Sequence, residues 1–157
     1  MRIDRILHAR AGKQDLPVWE LNIVGKGPDL SRLVDLAAAL KLGSRVIFHR
    51  FVDDAALREL YRSSHIFAMP AVQGYGLPAI EALYQYLAMV MSSDSGIAEV
   101  LGAARTVVIS KRGSNEFARA LCETIRRVSN PAFLGRLLPP MRTEDQWDAT
   151  YTCSFGW

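Results

Sequence analysis

Apolar residues along this chain change repeatedly between short continuous runs and helical spacing. The continuous runs predict buried strands at residues 18–24, 46–48, 65–69, 88–91 and 106–109. Recurrence every three or four positions predicts helices over residues 1–11, 30–40, 54–61, 78–84, 98–101 and 114–128. Strands that alternate with helices at such short spacing indicate βαβ units. We therefore expect an α/β fold, with a Rossmann-like parallel sheet and helices on both faces.

Single residues are expected to set the ends and faces of these helices. Gly43 is expected to end the second helix, because glycine favours the left-handed conformation that follows many helices. Either Asp53 or Asp54 is expected to cap the third. The spacing of the second helix places Leu30, Leu33, Val34 and Ala37 on its inward face, and that of the last helix places Phe117, Leu121, Ile125 and Val128 on its own.

The segment Pro70-Ala-Val-Gln-Gly-Tyr-Gly-Leu-Pro-Ala-Ile-Glu81 joins an apolar strand to a helix. Pro78 suits the first helical position, where its missing N–H needs no partner. Gly74 and Gly76 would let the backbone approach a ligand closely, and the start of the helix favours an anion such as a diphosphate. An ordinary tight turn between strand and helix is the alternative interpretation.

Composition and charge narrow the class of protein. With 157 residues, 50% of them hydrophobic, the chain is long enough for one ordinary core. The 19 basic residues are scattered among 16 acidic ones, so we expect no nucleic-acid surface. No run of apolar residues predicts a membrane span or a signal peptide. Cys122 and Cys153 lack ligand spacing, and His8, His49 and His65 are far apart, so we expect a cytoplasmic protein without a metal.

Several segments together carry a family resemblance. They are Leu21-Asn-Ile-Val-Gly-Lys-Gly-Pro28, Arg45-Val-Ile-Phe48, Leu57-Arg-Glu-Leu-Tyr61, the glycine loop with Glu81-Ala-Leu83, and Ser95-Gly-Ile-Ala-Glu-Val100. In this order and spacing the chain resembles the C-terminal, nucleotide-sugar-binding half of a family 4 (group 1) glycosyltransferase with the GT-B fold. The resemblance implies a truncated Rossmann-like domain over residues 1–130. The remaining residues 131–157 are expected to be a tail, with a possible last helix over residues 143–151 that places Trp147 and Tyr151 on one side.

The resemblance also implies a donor site. In the family, two glutamates flank the glycine loop, the first touching the donor sugar and the second holding the ribose of the nucleotide. Gln73 and Glu81 occupy these positions here. The implied nucleotide and donor-binding set is Gly25, Gly27, Gln73, Gly74, Tyr75, Gly76 and Glu81. The implied ligand is a nucleotide-sugar such as a UDP- or GDP-sugar, with no cofactor and no metal.

Other interpretations of these residues remain open at this stage. Glu81 could instead be a first-turn acid that complements the helix dipole. Gly25 and Gly27 could form only a helix entry turn. Glu99 matches a family acid, but Ser95 replaces a family glycine before it, which leaves a helix-start role for Glu99. Tyr86 stands where the family has a helix-ending glycine.

Two parts that the family carries before the first helix have no match in the chain. One is a strand followed by an arginine and a lysine that hold the donor diphosphate, and neither Lys13 nor Lys26 takes the place of that lysine. The other is the acceptor-binding domain. We therefore expect the donor domain of a retaining glycosyltransferase that is inactive alone and acts with a separate acceptor-binding domain or by self-association. The alternative is a non-catalytic relic or interaction module that retains the fold.

The unmatched strand has a consequence for the sheet. In the 3-2-1-4-5-6 order it is central and would lie between the strands at residues 18–24 and 65–69. Either these two strands pair directly, giving five strands in the order 3-2-4-5-6, or another segment fills the gap. That segment could come from another chain or from the tail at residues 141–157. We favour an oligomer, because the tail is otherwise a large apolar segment without a place to bury.

Overall fold

The computed structural model describes residues 3–11, 16–70, 76–102, 104, 106–111 and 114–133. Helices and strands alternate through these ranges, as the periodicity predicts. The helices are α1 (Ile3–Arg10), α2 (Leu30–Ala39), α3 (Asp54–Ser63), α4 (Leu77–Tyr84), α5 (Ile97–Leu101) and α6 (Ser114–Val128). The strands are β1 (Leu21–Val24), β2 (Val46–His49), β3 (Ile66–Met69), β4 (Ala88–Ser92) and β5 (Val107–Ser110), and a short 3₁₀ turn at Gly43–Arg45 precedes β2. The possible last helix in the tail lies outside the described residues.

All strand pairs in the described ranges are parallel. Strand β1 pairs with β2, placing Leu21 opposite Val46. Strand β4 pairs with both β3 and β5, so the order of the second sheet is β3-β4-β5. Every residue of β4 is buried, as expected for a strand covered on both faces. The predicted α/β class with parallel strands is confirmed.

Direct pairing of β1 with β3, one of the two expected arrangements, is wrong for the described strands. They form two sheets, and β1 and β3 are not hydrogen-bonded to each other. A shared core joins the sheets instead. Its buried members are Ile6, Val90, Phe117, Leu121 and Ile125, from α1, β4 and α6, and side chains of both β1 and β3 pack against it. Filling of the gap by another segment stays a prediction.

The helices cover the sheets on two faces. Val90 points to the shared core with α1 and α6, whereas its neighbours Met89 and Met91 point into a second cluster beneath α4 and α5. This alternation is the period of two expected along a strand. None of the helices in the described ranges is long and apolar enough to cross a bilayer.

Two details of α2 differ from the sequence-based prediction. Val34 is 43% exposed, because the buried face follows Leu33 and Ala37. Gly43 does not end the helix, which stops at Ala39. The left-handed residue that ends the helix is Lys41, with φ of 54°, whereas Gly43, which is also left-handed with φ of 51°, begins the 3₁₀ turn before β2. The choice between Asp53 and Asp54 is settled for α3: Asp53 is the N-cap and its carboxylate accepts from the Ala56 amide at 2.8 Å.

Helices α2 and α4 end with the same hydrogen-bond pattern. After α2, the Lys41 amide donates to the Ala38 carbonyl oxygen and the Leu42 amide to that of Ala37. After α4, the Tyr86 amide donates to the Leu83 carbonyl oxygen and the Leu87 amide to that of Ala82. This is the Schellman motif, with Lys41 and Tyr86 at its left-handed position. Tyr86 therefore adopts the conformation for which the resembled family uses glycine.

Candidate functional site

The candidate site lies at the carboxyl edge of the strands. In parallel α/β sheets, the loops that follow the strands meet at this edge, which is where ligands bind. The segment with Gly25 and Gly27 follows β1, and Gly76 precedes α4 in the connection from β3. Gln73, Gly74 and Tyr75, also predicted for the site, lie outside the described residues.

Gly76 is buried and starts α4 in the left-handed conformation, with φ of 61°. A Cβ atom added at this position would lie 2.7 Å from Cβ of Ile97, in α5. Packing of α4 against α5 therefore accounts for this glycine, whether or not a ligand also approaches it. Pro78 occupies the second helical position, one later than predicted, because the helix begins at Leu77.

Glu81 lies at the fifth position of α4 and is exposed. The interpretation of Glu81 as a first-turn acid is therefore wrong, and the effect of a helix dipole fades beyond that turn. One carboxylate oxygen, Oε2, accepts a hydrogen bond from the Tyr61 hydroxyl at 3.1 Å. The same hydroxyl lies 3.3 Å from the carbonyl oxygen of Pro78. Tyr61 thus ties the end of α3 to the beginning of α4.

The sequence placed Tyr61 only at the end of the predicted helix over residues 54–61, and its polar contact was missed. It lies 20 residues from Glu81 in the sequence, so no local pattern could reveal the pair. Burial, and secondarily the charge and hydrogen bond of Glu81, raise the pKa of Tyr61. The phenol therefore keeps its proton and remains a hydrogen-bond donor.

The turn after β1 has more open space around its glycines than Gly76 has. Gly25 has φ of 145°, which few other residues adopt, and its amide extends the β1–β2 pairing by donating to the His49 carbonyl oxygen at 3.0 Å. No atom lies within 4 Å of a Cβ added at Gly25 or Gly27. The Gly27 carbonyl oxygen accepts from the Leu30 amide, which makes this a helix entry turn. Its open surroundings also leave room for a ligand.

Lys26, in this turn, lies with its Nζ 5.0 Å from the centre of the Phe51 ring, which belongs to the loop after β2. Glu99 is exposed in the first turn of α5, where an acid favours the helix start. Among the described residues, no group of three or more potential ligands could hold a metal ion.

Buried serines at the same edge escaped the sequence analysis. Ser92 and Ser110 end the neighbouring strands β4 and β5 opposite each other, and they are 2% and 4% exposed. Within the part of the chain that the structure describes, the Ser110 hydroxyl is buried without a hydrogen-bond partner. A serine that ends an apolar run was the available signal, but it is too common to predict a site.

Parallel strands, glycine turns and an exposed, restrained glutamate at the carboxyl edge define a Rossmann-like α/β domain. The family of group 1 glycosyl transferases matches residues 2–129. The chain therefore belongs to the group 1 glycosyltransferases.

Two relatives support this assignment. An uncharacterized glycosyltransferase from Methanocaldococcus jannaschii is 32% identical over 83 residues, which are 52% of this chain and 21% of that protein. The uncharacterized glycosyltransferase YqgM from Bacillus subtilis is 31% identical over 99 residues, 62% of this chain and 28% of that protein. The chain thus matches less than a third of the length of either relative.

Solved structures show the same fold. WaaG, a glycosyltransferase involved in lipopolysaccharide biosynthesis, superposes with a TM-score of 0.72 at 20% identity, covering 99% of this chain and 44% of WaaG. Sucrose-phosphate synthase from Thermosynechococcus elongatus gives 0.71 at 24% identity, covering 86% of this chain and 35% of that enzyme. Both are GT-B glycosyltransferases, so the described domain is part of a GT-B fold.

Proposed function

We propose that this chain is the nucleotide-sugar-binding, donor part of a retaining glycosyltransferase and acts with a separate acceptor-binding domain. The observation that carries the proposal is Glu81. Its carboxylate is exposed at the edge where α/β domains bind nucleotides, and Tyr61 holds one of its oxygens. A carboxylate can accept several hydrogen bonds, so Glu81 retains capacity for the two neighbouring hydroxyls of a ribose.

The beginning of α4 supplies the second element of the proposed site. Pro78 has no amide hydrogen, and the Ala79 amide donates to the Gly76 carbonyl oxygen at 2.8 Å. An anion at this helix start would therefore meet the amides of Gly76 and Leu77. These two donors and the positive end of the helix dipole favour a diphosphate on the side of α4 that precedes Glu81.

Gln73 bears on whether sugar transfer follows binding. A hydrogen bond from a sugar hydroxyl to a carboxylate contributes about 1.5–3 kcal/mol, whereas one to a neutral amide contributes about 0.5–1.5 kcal/mol. Gln73 would therefore hold the donor sugar less firmly than the family's glutamate. Transfer also requires an acceptor positioned in a closed cleft. Under this proposal the chain alone binds a donor without transferring its sugar.

Calorimetric titration of the purified chain with UDP-glucose and GDP-mannose tests donor binding. We expect a dissociation constant in the high micromolar range or weaker, because the family's cationic diphosphate contacts have no match here. Glu81→Ala should weaken binding roughly tenfold or more, through the loss of charge-assisted hydrogen bonds to the ribose. Glu123→Ala, which removes an exposed carboxylate from α6, should bind like the native chain.

The outcomes separate the two candidate functions. Binding that depends on Glu81 supports a donor domain. In that case the same samples, mixed with a radiolabelled donor and an acceptor, should transfer no labelled sugar to the acceptor. Equal binding by native protein and Glu81→Ala would remove Glu81 from the site. The absence of binding to any nucleotide-sugar would favour a non-catalytic interaction module, the interpretation that the neutral Gln73 supports.

A further inference from the structure

Packing fixes the position of the Tyr61 ring independently of the hydrogen bond between its hydroxyl and Glu81. Tyr61 lies near the end of α3 and packs against the cluster beneath α4, with its ring centre 6.2 Å from that of Phe67. The hydroxyl then approaches Glu81 Oε2 at 3.1 Å and the Pro78 carbonyl oxygen at 3.3 Å. Two elements of the fold, α3 and β3, therefore determine where the phenol points.

A phenol has one proton to donate, so its two acceptors compete for it. The Glu81 carboxylate is the stronger acceptor, because hydrogen bonds to ionised groups are shorter and stronger than neutral ones. The shorter of the two distances is also the one to Glu81. The phenol therefore donates its hydrogen bond mainly to Glu81.

This bond restrains a side chain that would otherwise be mobile. Glu81 is exposed, and an exposed glutamate explores many rotamers whose loss opposes binding. The bond occupies one lone pair of Oε2. Both lone pairs of Oε1 and the second lone pair of Oε2 remain available, which is enough to accept from two neighbouring hydroxyls.

We infer that Tyr61 is a positioning residue that holds Glu81 in the orientation for accepting two ribose hydroxyls. It thereby sets the preference of the site for ribonucleotides over 2′,3′-dideoxynucleotides. This inference rests on the proposed function, because it assigns Glu81 to the nucleotide. Tyr61 itself does not contact the ligand.

The test compares UDP with 2′,3′-dideoxy-UDP on four proteins: the native chain, Tyr61→Phe, Glu81→Ala and the double variant. Phenylalanine keeps the ring and its packing on Phe67 while removing the hydroxyl. We expect Tyr61→Phe to weaken UDP binding roughly two- to tenfold, because Glu81 loses the hydrogen bond that restrains its side chain. Binding of the dideoxynucleotide should be unchanged, and the double variant should bind UDP like Glu81→Ala.

Tyr84→Phe is the matched control, since it also removes one tyrosine hydroxyl and lies in α4, the helix that carries Glu81. It should leave the ratio of the two affinities as in the native chain. If Tyr61→Phe weakens UDP and dideoxy-UDP equally, or if its effect adds to that of Glu81→Ala, Tyr61 acts only on the fold and the inference is wrong. If the native chain binds neither nucleotide, the proposed function fails together with this inference.

Discussion

Gly76 meets two requirements that other residues cannot satisfy together. It starts α4 with φ of 61°, in the left-handed region. A side chain would also collide with Ile97, and the nearest atom is Cβ, which moves only with the backbone of α5. The residue at this position therefore controls both the entry into α4 and the contact of α4 with α5.

Gly76→Ala should lower the free energy of unfolding by roughly 2–6 kcal/mol. A non-glycine residue held at this φ costs about 1–3 kcal/mol, and overpacking adds about 1–3 kcal/mol. Urea denaturation followed by circular dichroism measures the change. Gly27→Ala is the matched control, since open space surrounds Gly27 and its φ is not positive. If the two variants were equally stable, Gly76 would not have the packing role assigned here.

At the level of elements, two helices end in a Schellman motif without glycine. Lys41 and Tyr86 are the two described non-glycine residues with positive φ, and each occupies the left-handed position of its motif. The hydrogen bonds form despite the unfavourable conformation. They are supported by buried residues that follow at once, Leu42 after α2 and Leu87 after α4.

Lys41→Gly should raise the free energy of unfolding by about 0.5–1 kcal/mol. Relief of the left-handed strain contributes about 1–2 kcal/mol, and the greater freedom of glycine in the unfolded chain offsets about 0.5–1 kcal/mol of it. Lys41 suits the test because its side chain is exposed. Thermal unfolding of native protein, Lys41→Gly and Lys41→Ala provides the comparison. A Lys41→Gly protein no more stable than Lys41→Ala would contradict the strain argument.

The elements were largely predictable because their apolar periodicity is strong. The run at residues 88–91 became β4, and the inward residues expected for α6, from Phe117 to Val128, are all buried. The predictions that failed concern features that depend on tertiary contacts. The left-handed residue that ends α2 is Lys41, two residues before the left-handed Gly43, and the hydrogen bond between Tyr61 and Glu81 joins two helices. The family resemblance predicted a role for Glu81 but not the side chain that restrains it.

At the scale of the molecule, the two sheets are held together by side chains rather than by backbone pairing. Leu21 of β1 and Ile66 and Ala68 of β3 pack on the same core. Within the described ranges, β1 pairs with β2 alone and β3 with β4 alone. Among the described strands, β1 and β3 therefore each have one edge without a paired neighbour, and such edges are sites where another strand can add.

We accordingly expect the chain to self-associate at micromolar concentration. Adding a strand would satisfy backbone groups that cost about 1–3 kcal/mol each when buried unpaired. Sedimentation velocity over a wide range of micromolar concentrations measures the assembly. A concentration-independent monomer would contradict this expectation and would favour filling of the gap within one chain.

The core that α1 shares with α6 also has a consequence for how the protein is made. Ile6 belongs to the first helix, whereas its partners Phe117, Leu121 and Ile125 belong to the last. About a hundred residues separate these helices, and ribosomes add roughly 5–20 residues per second. During synthesis the apolar face of α1 therefore stays without α6 for roughly 5 to 20 seconds, and a chaperone can bind the nascent chain in this period.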